Sequence, residues 1–337
     1  MLTGGKDQLA VMWESLDGKP QHQILVKHED WVNRVAFSPD KVHALTASLD
    51  GTVQLWEVAT RQPIRAIKHS ADRYSASFGN GGKWLIAGGF RIGMARIWEP
   101  YSCLNVQAQA VTSLGLVALS PDSKTLITTS FPNHVHVYEI NDSLAGPPIS
   151  EPCSDERHTL GSHTLTKVRA LEQPGSSEIN SLAFAPDGKH LALGTKSGEI
   201  QICDLQRCEP DRVLHTGTSG ITALVFAHDG RLGATDADGH VRLWATNLRE
   251  LSLYLQDLPA AATGVDFSPD GRRIVVGFAD GTARIYPSTK QGFIKAACLA
   301  LQSGSEETLR DLLGREQRES STKTRVQAIL ALCAQLD

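Results

Sequence analysis

The chain has 337 residues, of which 41% are hydrophobic and 21% charged, with a formal net charge of -4. That balance supplies a globular core. It argues against a protein that grips nucleic acid or an anionic membrane over a broad basic face. No apolar run approaches the roughly 18 residues of a membrane-spanning helix, and the start lacks the charged-then-apolar signal pattern. Six cysteines spread thinly along the chain do not frame a disulfide scaffold. A reduced, cytoplasmic setting is the expectation.

In chain order, the first elements are three short strands: Leu2 to Gly5, Leu9 to Trp13 and Gln23 to Lys27. From there one phrase recurs, an apolar alternation that ends in a Pro-Asp or Asp-Gly turn. It appears as Val35-Ala36-Phe37-Ser38-Pro39-Asp40 and again as Val117-Ala118-Leu119-Ser120-Pro121-Asp122. Further copies begin at Leu182, Leu224 and Val265, and a degenerate one at Ser75. The marker residues fall at 37, 78, 119, 184, 226 and 267, so every spacing but one is 41 or 42 residues and the exception is 65. A second phrase, a turn and then a strand that closes on a large residue, keeps the same period. Its closing residues are Trp13, Trp56, Trp98, Tyr138, Cys203, Trp244 and Tyr286, and each lies six positions after its turn residue.

A period near 41 holds four strands of five or six residues with tight turns. One such sheet cannot bury both faces, whereas several packed radially can. Two independent marks with one period predict seven repeats.

These phrases, with His28 ahead of the second unit, resemble the WD-repeat β-propeller family over about residues 1–300. The resemblance implies an all-β, seven-bladed WD-repeat β-propeller at 1–302, with a short C-terminal α-helical extension at 303–337. It is closest in style to bacterial-type WD-repeat proteins, which often form the C-terminal part of a longer multidomain chain. In the family, a His, a hydroxyl residue, an Asp and a Trp make a hydrogen-bonded chain within a blade. Here that set reads as His28, Ser48, Asp50 and Trp56. The sixth unit offers His215, Asp238 and Trp244, with Asp236 in place of the hydroxyl residue.

Two places break the pattern. The long spacing puts an insertion at about 142–178, rich in Pro, Ser and Gly, in which Leu165 to Leu171 can pair as an outer strand. It reads as a solvated loop or a partner-binding one. The first unit lacks its inner strand, which a longer parent chain, a later segment or another polypeptide would supply. Phe293 to Leu299 occupies the place of the seventh unit's outer strand. Beyond it, Leu309, Leu312 and Leu313 make one helical stripe, and Val326, Ile329, Leu330, Cys333 and Leu336 a second. The pair either folds back on the repeats or docks a partner.

Catalytic signatures are scarce. The chain has no Gly-rich loop followed by Lys-Ser or Lys-Thr, no Gly-x-Ser-x-Gly elbow and no His-Glu-x-x-His helix. His134 and His136, two apart on one strand, share a face, but His158, His163 and Cys153 add no metal-site spacing. The inner strands offer Arg34 and Asp266. No catalytic residue, metal or cofactor is therefore assigned, and a nucleic-acid or membrane partner is not expected. The expected role is a non-catalytic protein–protein interaction scaffold or sensor; the alternative is a propeller enzyme with a channel-bound metal. By the family's contact positions, the rim that meets a protein partner consists of Trp31, Leu49, Asp72, Arg91, Phe131, Glu178 and Lys196, with Lys6 beside them.

Overall fold

A computed structural model describes residues 1–16, 19–68, 74–79, 84–89, 94–98, 105–109, 114–130, 134–140, 166–172, 177–206, 209–256, 258, 260–289, 291–292, 295–296 and 298–299. By its internal contacts the chain divides into two units, Met1–Ile179 and Asn180–Asp337.

Seven antiparallel sheets run in chain order among the described residues, as expected of a seven-bladed WD-repeat β-propeller. In the first unit, sheet one contains β1 (Leu2–Gly4), β2 (Leu9–Leu16) and β3 (Lys19–Lys27). Sheet two contains β4 (Val32–Phe37), β5 (His43–Ser48), β6 (Thr52–Glu57) and β7 (Pro63–Lys68). Sheet three contains β8 (Tyr74–Gly79), β9 (Trp84–Gly89), β10 (Met94–Trp98) and β11 (Asn105–Gln109). Sheet four contains β12 (Leu114–Leu119), β13 (Thr125–Ser130), β14 (His134–Glu139) and β15 (Thr166–Glu172).

The remaining sheets follow the same plan. Sheet five contains β16 (Ile179–Phe184), β17 (His190–Thr195), β18 (Glu199–Asp204) and β19 (Glu209–His215). Sheet six contains β20 (Ile221–Phe226), β21 (Leu232–Asp236), β22 (Val241–Trp244) and β23 (Leu251–Leu255). Sheet seven contains β24 (Ala262–Phe267), β25 (Arg273–Phe278) and β26 (Ala283–Pro287).

Each sheet is a meander, and in sheets two and six the second strand is the most buried. All six residues of β5 are buried, as are all five of β21. Such strands are covered on both faces, which is why they read as near-continuous apolar or small runs rather than alternations. Within each unit the core lies between successive sheets. Leu45, Ala47, Val53, Leu55 and Ile67 of sheet two pack on Ala76, Leu85 and Ala87 of sheet three. Val241, Leu243 and Leu255 of sheet six pack on Ala262, Ile274, Val276 and Phe278 of sheet seven. Close approach needs glycine at specific points: a Cβ on Gly194 of β17 would stand 2.5 Å from Ile221 Cγ2 of β20.

The ladder between the third and fourth strands shifts by one residue in several sheets, at Leu55/Trp56, Val137/Tyr138, Ile202/Cys203 and Leu243/Trp244. An extra residue at the same point of each repeat kinks the outer strand and increases its twist.

Two expectations are corrected. Where Phe293 to Leu299 was expected as an outer strand, the described residues 295, 296, 298 and 299 are helical, and sheet seven has three strands among the described residues. The local sequence Lys295-Ala296-Ala297-Cys298-Leu299 explains this, because Ala, Leu and Lys favour helix over strand. Cys298 is disulfide-bonded, where a reduced chain was expected. The outer strand inside the insertion is present as β15, paired with β14. The helical pair expected at 303–337 and residues 142–165 and 173–176 of the insertion lie outside the described residues.

Candidate interaction surface

The turns that follow each second strand, and the links that precede each first strand, place the rim residues. Trp31 stands immediately before β4, and Leu49 follows β5; the Leu49 N–H donates to the Trp31 carbonyl at 2.9 Å. Lys6 occupies the turn between β1 and β2, and its Nζ lies over the Trp31 ring at 4.6 Å from the centroid. Trp31 is 43% exposed even so, and its N–H is held by Asp30 Oδ1 at 2.7 Å. Glu178 immediately precedes β16 and is half-buried, and Lys196 is exposed on the turn after β17. Asp72, Arg91 and Phe131 lie outside the described residues.

Beneath this rim runs a polar chain through sheet two. His28 Nδ1 is 2.9 Å from Asp50 Oδ2, and His28 Nε2 is 2.9 Å from Thr46 Oγ1. Trp56 Nε1 donates to that same Thr46 Oγ1 at 3.3 Å. One consistent direction satisfies every group: the indole N–H donates to Thr46, the Thr46 hydroxyl to Nε2, and Nδ1–H to Asp50. Asp50 Oδ2 also accepts from the Glu29 N–H, and Oδ1 from both the N–H and the hydroxyl of Thr52. Burial pushes the Asp50 carboxyl up, but the Thr52, Glu29 and His28 donors outweigh it and hold the group below the usual carboxylate range.

The structure thus brings His28, Asp50 and Trp56 together but gives the hydroxyl position to Thr46. Ser48 instead donates to the Asp30 carbonyl at 2.9 Å and accepts from the Asp50 N–H at 3.1 Å. It ties the turn to the rim loop. Thr46 carried a signal in the sequence: it lies ten residues before its Trp, as Thr3 does before Trp13, and Trp13 Nε1 donates to Thr3 Oγ1 at 2.8 Å. Thr128 precedes Tyr138 by the same interval, and burial raises the Tyr138 hydroxyl while Thr128 acts weakly in the other direction.

Sheet six departs further. His215 does not join Asp238 and Trp244; it ends β19 as an exposed side chain with Nδ1 3.5 Å from Glu199 Oε1. The His28 N–H donates to Gln8 just ahead of β2, and the matching donor ahead of β18 is Thr216, to Gly198. His215 is therefore one residue early and faces the other way. In its stead, buried Asp236 accepts from Arg242 Nη1 at 2.5 Å and sits 3.0 Å from His240 Nδ1. Burial raises the Asp236 carboxyl, and the Arg242 and His240 donors more than offset it, so the net displacement is downward. Arg242 also stacks over Tyr254, with Cζ 4.8 Å from the ring centroid.

As for metal or catalytic chemistry, His134 and His136 stack with ring centroids 6.2 Å apart, and buried His136 bonds Ser130 Oγ through Nε2 at 2.9 Å. His158, His163 and Cys153 lie outside the described residues. Among the described residues no group of three or more His, Cys, Asp or Glu side chains is placed to hold a metal ion. Arg34 and Asp266 are both exposed on first strands. No helix among the described residues is long and apolar enough to cross a membrane.

Comparison with known proteins agrees with this architecture. The family model for the WD domain, G-beta repeat, matches residues 18–57 and 255–286. The model of the anaphase-promoting complex subunit 4 WD40 domain matches residues 163–229. The chain is similar to pre-mRNA-processing factor 19 homolog 2 of Arabidopsis thaliana, 25% identical over 281 residues, which cover 82% of this chain and 41% of the relative. It is similar to protein groucho of Drosophila melanogaster, 26% identical over 302 residues, covering 80% of this chain and 41% of the relative. The chain therefore spans about two-fifths of the length of these relatives. With the two recurring phrases, the seven antiparallel sheets and the His28–Asp50 pair, these matches support a WD-repeat family.

Proposed function

We propose that the protein is a non-catalytic interaction scaffold that holds a protein partner on the rim formed by the Lys6, Trp31 and Leu49 turns. The observation that carries this reading is Trp31, a large aromatic side chain left 43% exposed at the tip of a loop fixed on both sides. Its carbonyl is bound by Leu49 and its amide by Asp30. An exposed aromatic on a rigid support is a low-entropy anchor of the kind that dominates interface energetics. The polar chain under it, from Trp56 to Asp50, supports that rigidity. The likeness to WD-repeat proteins supports the same reading by analogy, since the fold alone hosts many functions. Asp72, Arg91, Phe131, Glu178 and Lys196 are further candidate contact residues, and the C-terminal residues 303–337 are a second docking element.

The test is affinity capture from the native host with the full chain, with Trp31→Ala, and with a chain lacking residues 303–337. A defined protein held by the wild type and lost with Trp31→Ala, at unchanged thermal stability, supports the rim. Loss only on truncation moves the interface to the tail. If Trp31→Ala lowers the melting temperature by several degrees, Trp31 is a packing residue and the rim assignment fails.

A further inference from the structure

We infer that the Trp31 ring is a seat for an arginine side chain of the protein partner, and that Lys6 occupies this seat in the free protein; this rests on the rim reading above. The Lys6 ammonium sits 4.6 Å from the Trp31 centroid, within the range in which a cation is attracted to an aromatic face. The ring is thus already used as a cation site, but by a long exposed side chain from a neighbouring turn, which gives up little when it leaves. A guanidinium is planar, more weakly hydrated than an ammonium and stacks on aromatic faces, so it outcompetes lysine there.

The surrounding charge selects the same ligand. The three turns that meet at this point, residues 5–8, 28–31 and 49–51, carry four carboxylates (Asp7, Glu29, Asp30 and Asp50) against the single Lys6 ammonium. Asp50 is committed to His28 and Thr52. Asp30 gives Oδ1 to the Trp31 N–H and Asp7 gives Oδ1 to the Leu9 N–H, and each retains a second oxygen. Glu29 is exposed. An arginine that displaces Lys6 brings donors in a fixed fork to these acceptors while its face covers the ring. Removing Lys6 also removes the only Lys or Arg charge of these three turns. An acidic partner segment would meet like charge here, which disfavours it.

The test is a titration of the full-length protein with an acetylated Gly-Gly-Arg-Gly-Gly peptide, with the same peptide carrying neutral citrulline or glutamate as controls. The readout is the Trp31 indole N–H resonance, assigned by its loss in Trp31→Phe. The arginine peptide is expected to shift that resonance in a saturable way, weakening as salt is raised. Lys6→Ala, which vacates the ring, is expected to tighten binding about threefold or more, and Glu29→Gln to weaken it. Citrulline producing an equal shift, or Lys6→Ala weakening binding in a protein with unchanged melting temperature, overturns the inference. If the arginine peptide leaves the indole unmoved while Trp31→Ala still strips a captured partner, the arginine seat is wrong and the rim stands. If Trp31→Ala leaves capture unchanged, the rim itself is wrong.

Discussion

Trp56 Nε1 donates to Thr46 Oγ1 across two neighbouring strands of sheet two, ten residues apart in the chain. Trp56 stands opposite Ala44 in the ladder, so its ring reaches the diagonal neighbour on the same face, two residues along β5. Trp13 and Thr3 repeat the relation in sheet one. In sheet two the chain of hydrogen bonds runs on through His28 to Asp50, and there it fixes the base of the loop that carries Trp31.

Thr46→Val keeps the shape of the side chain and removes its hydroxyl. Two buried groups, the Trp56 N–H and His28 Nε2, lose a partner, and an unsatisfied buried polar group costs about 1–3 kcal/mol. A loss of about 2 kcal/mol is expected in denaturant unfolding, with most of it recovered by Thr46→Ser. In a double-mutant cycle with Trp56→Phe, Thr46→Val should show a coupling of at least about 0.5 kcal/mol, whereas Ser48→Ala should be nearly additive. Coupling to Ser48 rather than Thr46 would restore the sequence-based assignment.

The repeat and most strands were legible because two marks, Phe37-like and Trp56-like, kept one period, and because Gly and Pro-Asp turns delimit short strands. The choice between Thr46 and Ser48 was not. Both lie on one face of β5, and only the reach of the indole from Trp56 decides between them. His215 misled for a related reason: an offset of one residue reverses the facing of a strand-end side chain. The turn after β17 gave Lys196 its place, but the exposure of Trp31 and the cation over it are tertiary facts, since Lys6 is 25 positions away in the chain. Phe293 to Leu299 was assigned by counting strands, where the helix preference of Ala296 and its neighbours prevails.

The Asp50 carboxyl makes stability depend on acidity in one direction. Its folded value is lowered relative to the ordinary carboxylate, so it contributes stability that is fully present above the unfolded value of about 3.9 and is lost as pH falls through the lower folded value. Other aspartates, among them Asp40, Asp122 and Asp236, are lowered too, so the difference between wild type and Asp50→Asn is the informative quantity. That difference should be constant from pH 7 to about pH 5 and shrink below about pH 4. A difference unchanged down to pH 2 would show that the carboxylate charge at Asp50 contributes nothing.

Gly194→Ala tests the spacing between sheets five and six. The added Cβ would meet Ile221 Cγ2 at 2.5 Å and Ile221 Cβ at 2.9 Å, and overpacking of a tight core costs about 1–3 kcal/mol. Ile221→Ala removes the nearer of these two atoms, Cγ2, while leaving a small cavity of its own. The double variant should therefore be more stable than the sum of the two single losses predicts, by about 1 kcal/mol or more. Strict additivity would mean that the sheets separate to admit the methyl group at no local cost.

Arg231 joins sheets six and seven from a turn that needs no arginine for its own sake. Its Nε donates to Asp229 Oδ2 at 2.9 Å, and Nη1 donates to the carbonyl and the hydroxyl of Ser288, each at 3.0 Å. Nη2 reaches the Gly271 carbonyl at 2.5 Å, and the guanidinium lies 5.3 Å from the Phe267 ring centroid. Ser288 is fully buried, its hydroxyl donates to the Gly271 carbonyl, and its own carbonyl and hydroxyl oxygens accept from this one side chain. Lysine has the charge but a single nitrogen, so it cannot reach Asp229, Gly271 and Ser288 together. Arg231→Lys should then cost about 2 kcal/mol, within the range for buried groups left unpaired, and the loss should be local. Amide hydrogen exchange at Ser288 and along β26 is expected to accelerate by an order of magnitude or more, while β5 and β6 are unaffected. Uniform acceleration across the chain, or none at β26, would show that Arg231 does not clamp the last sheet.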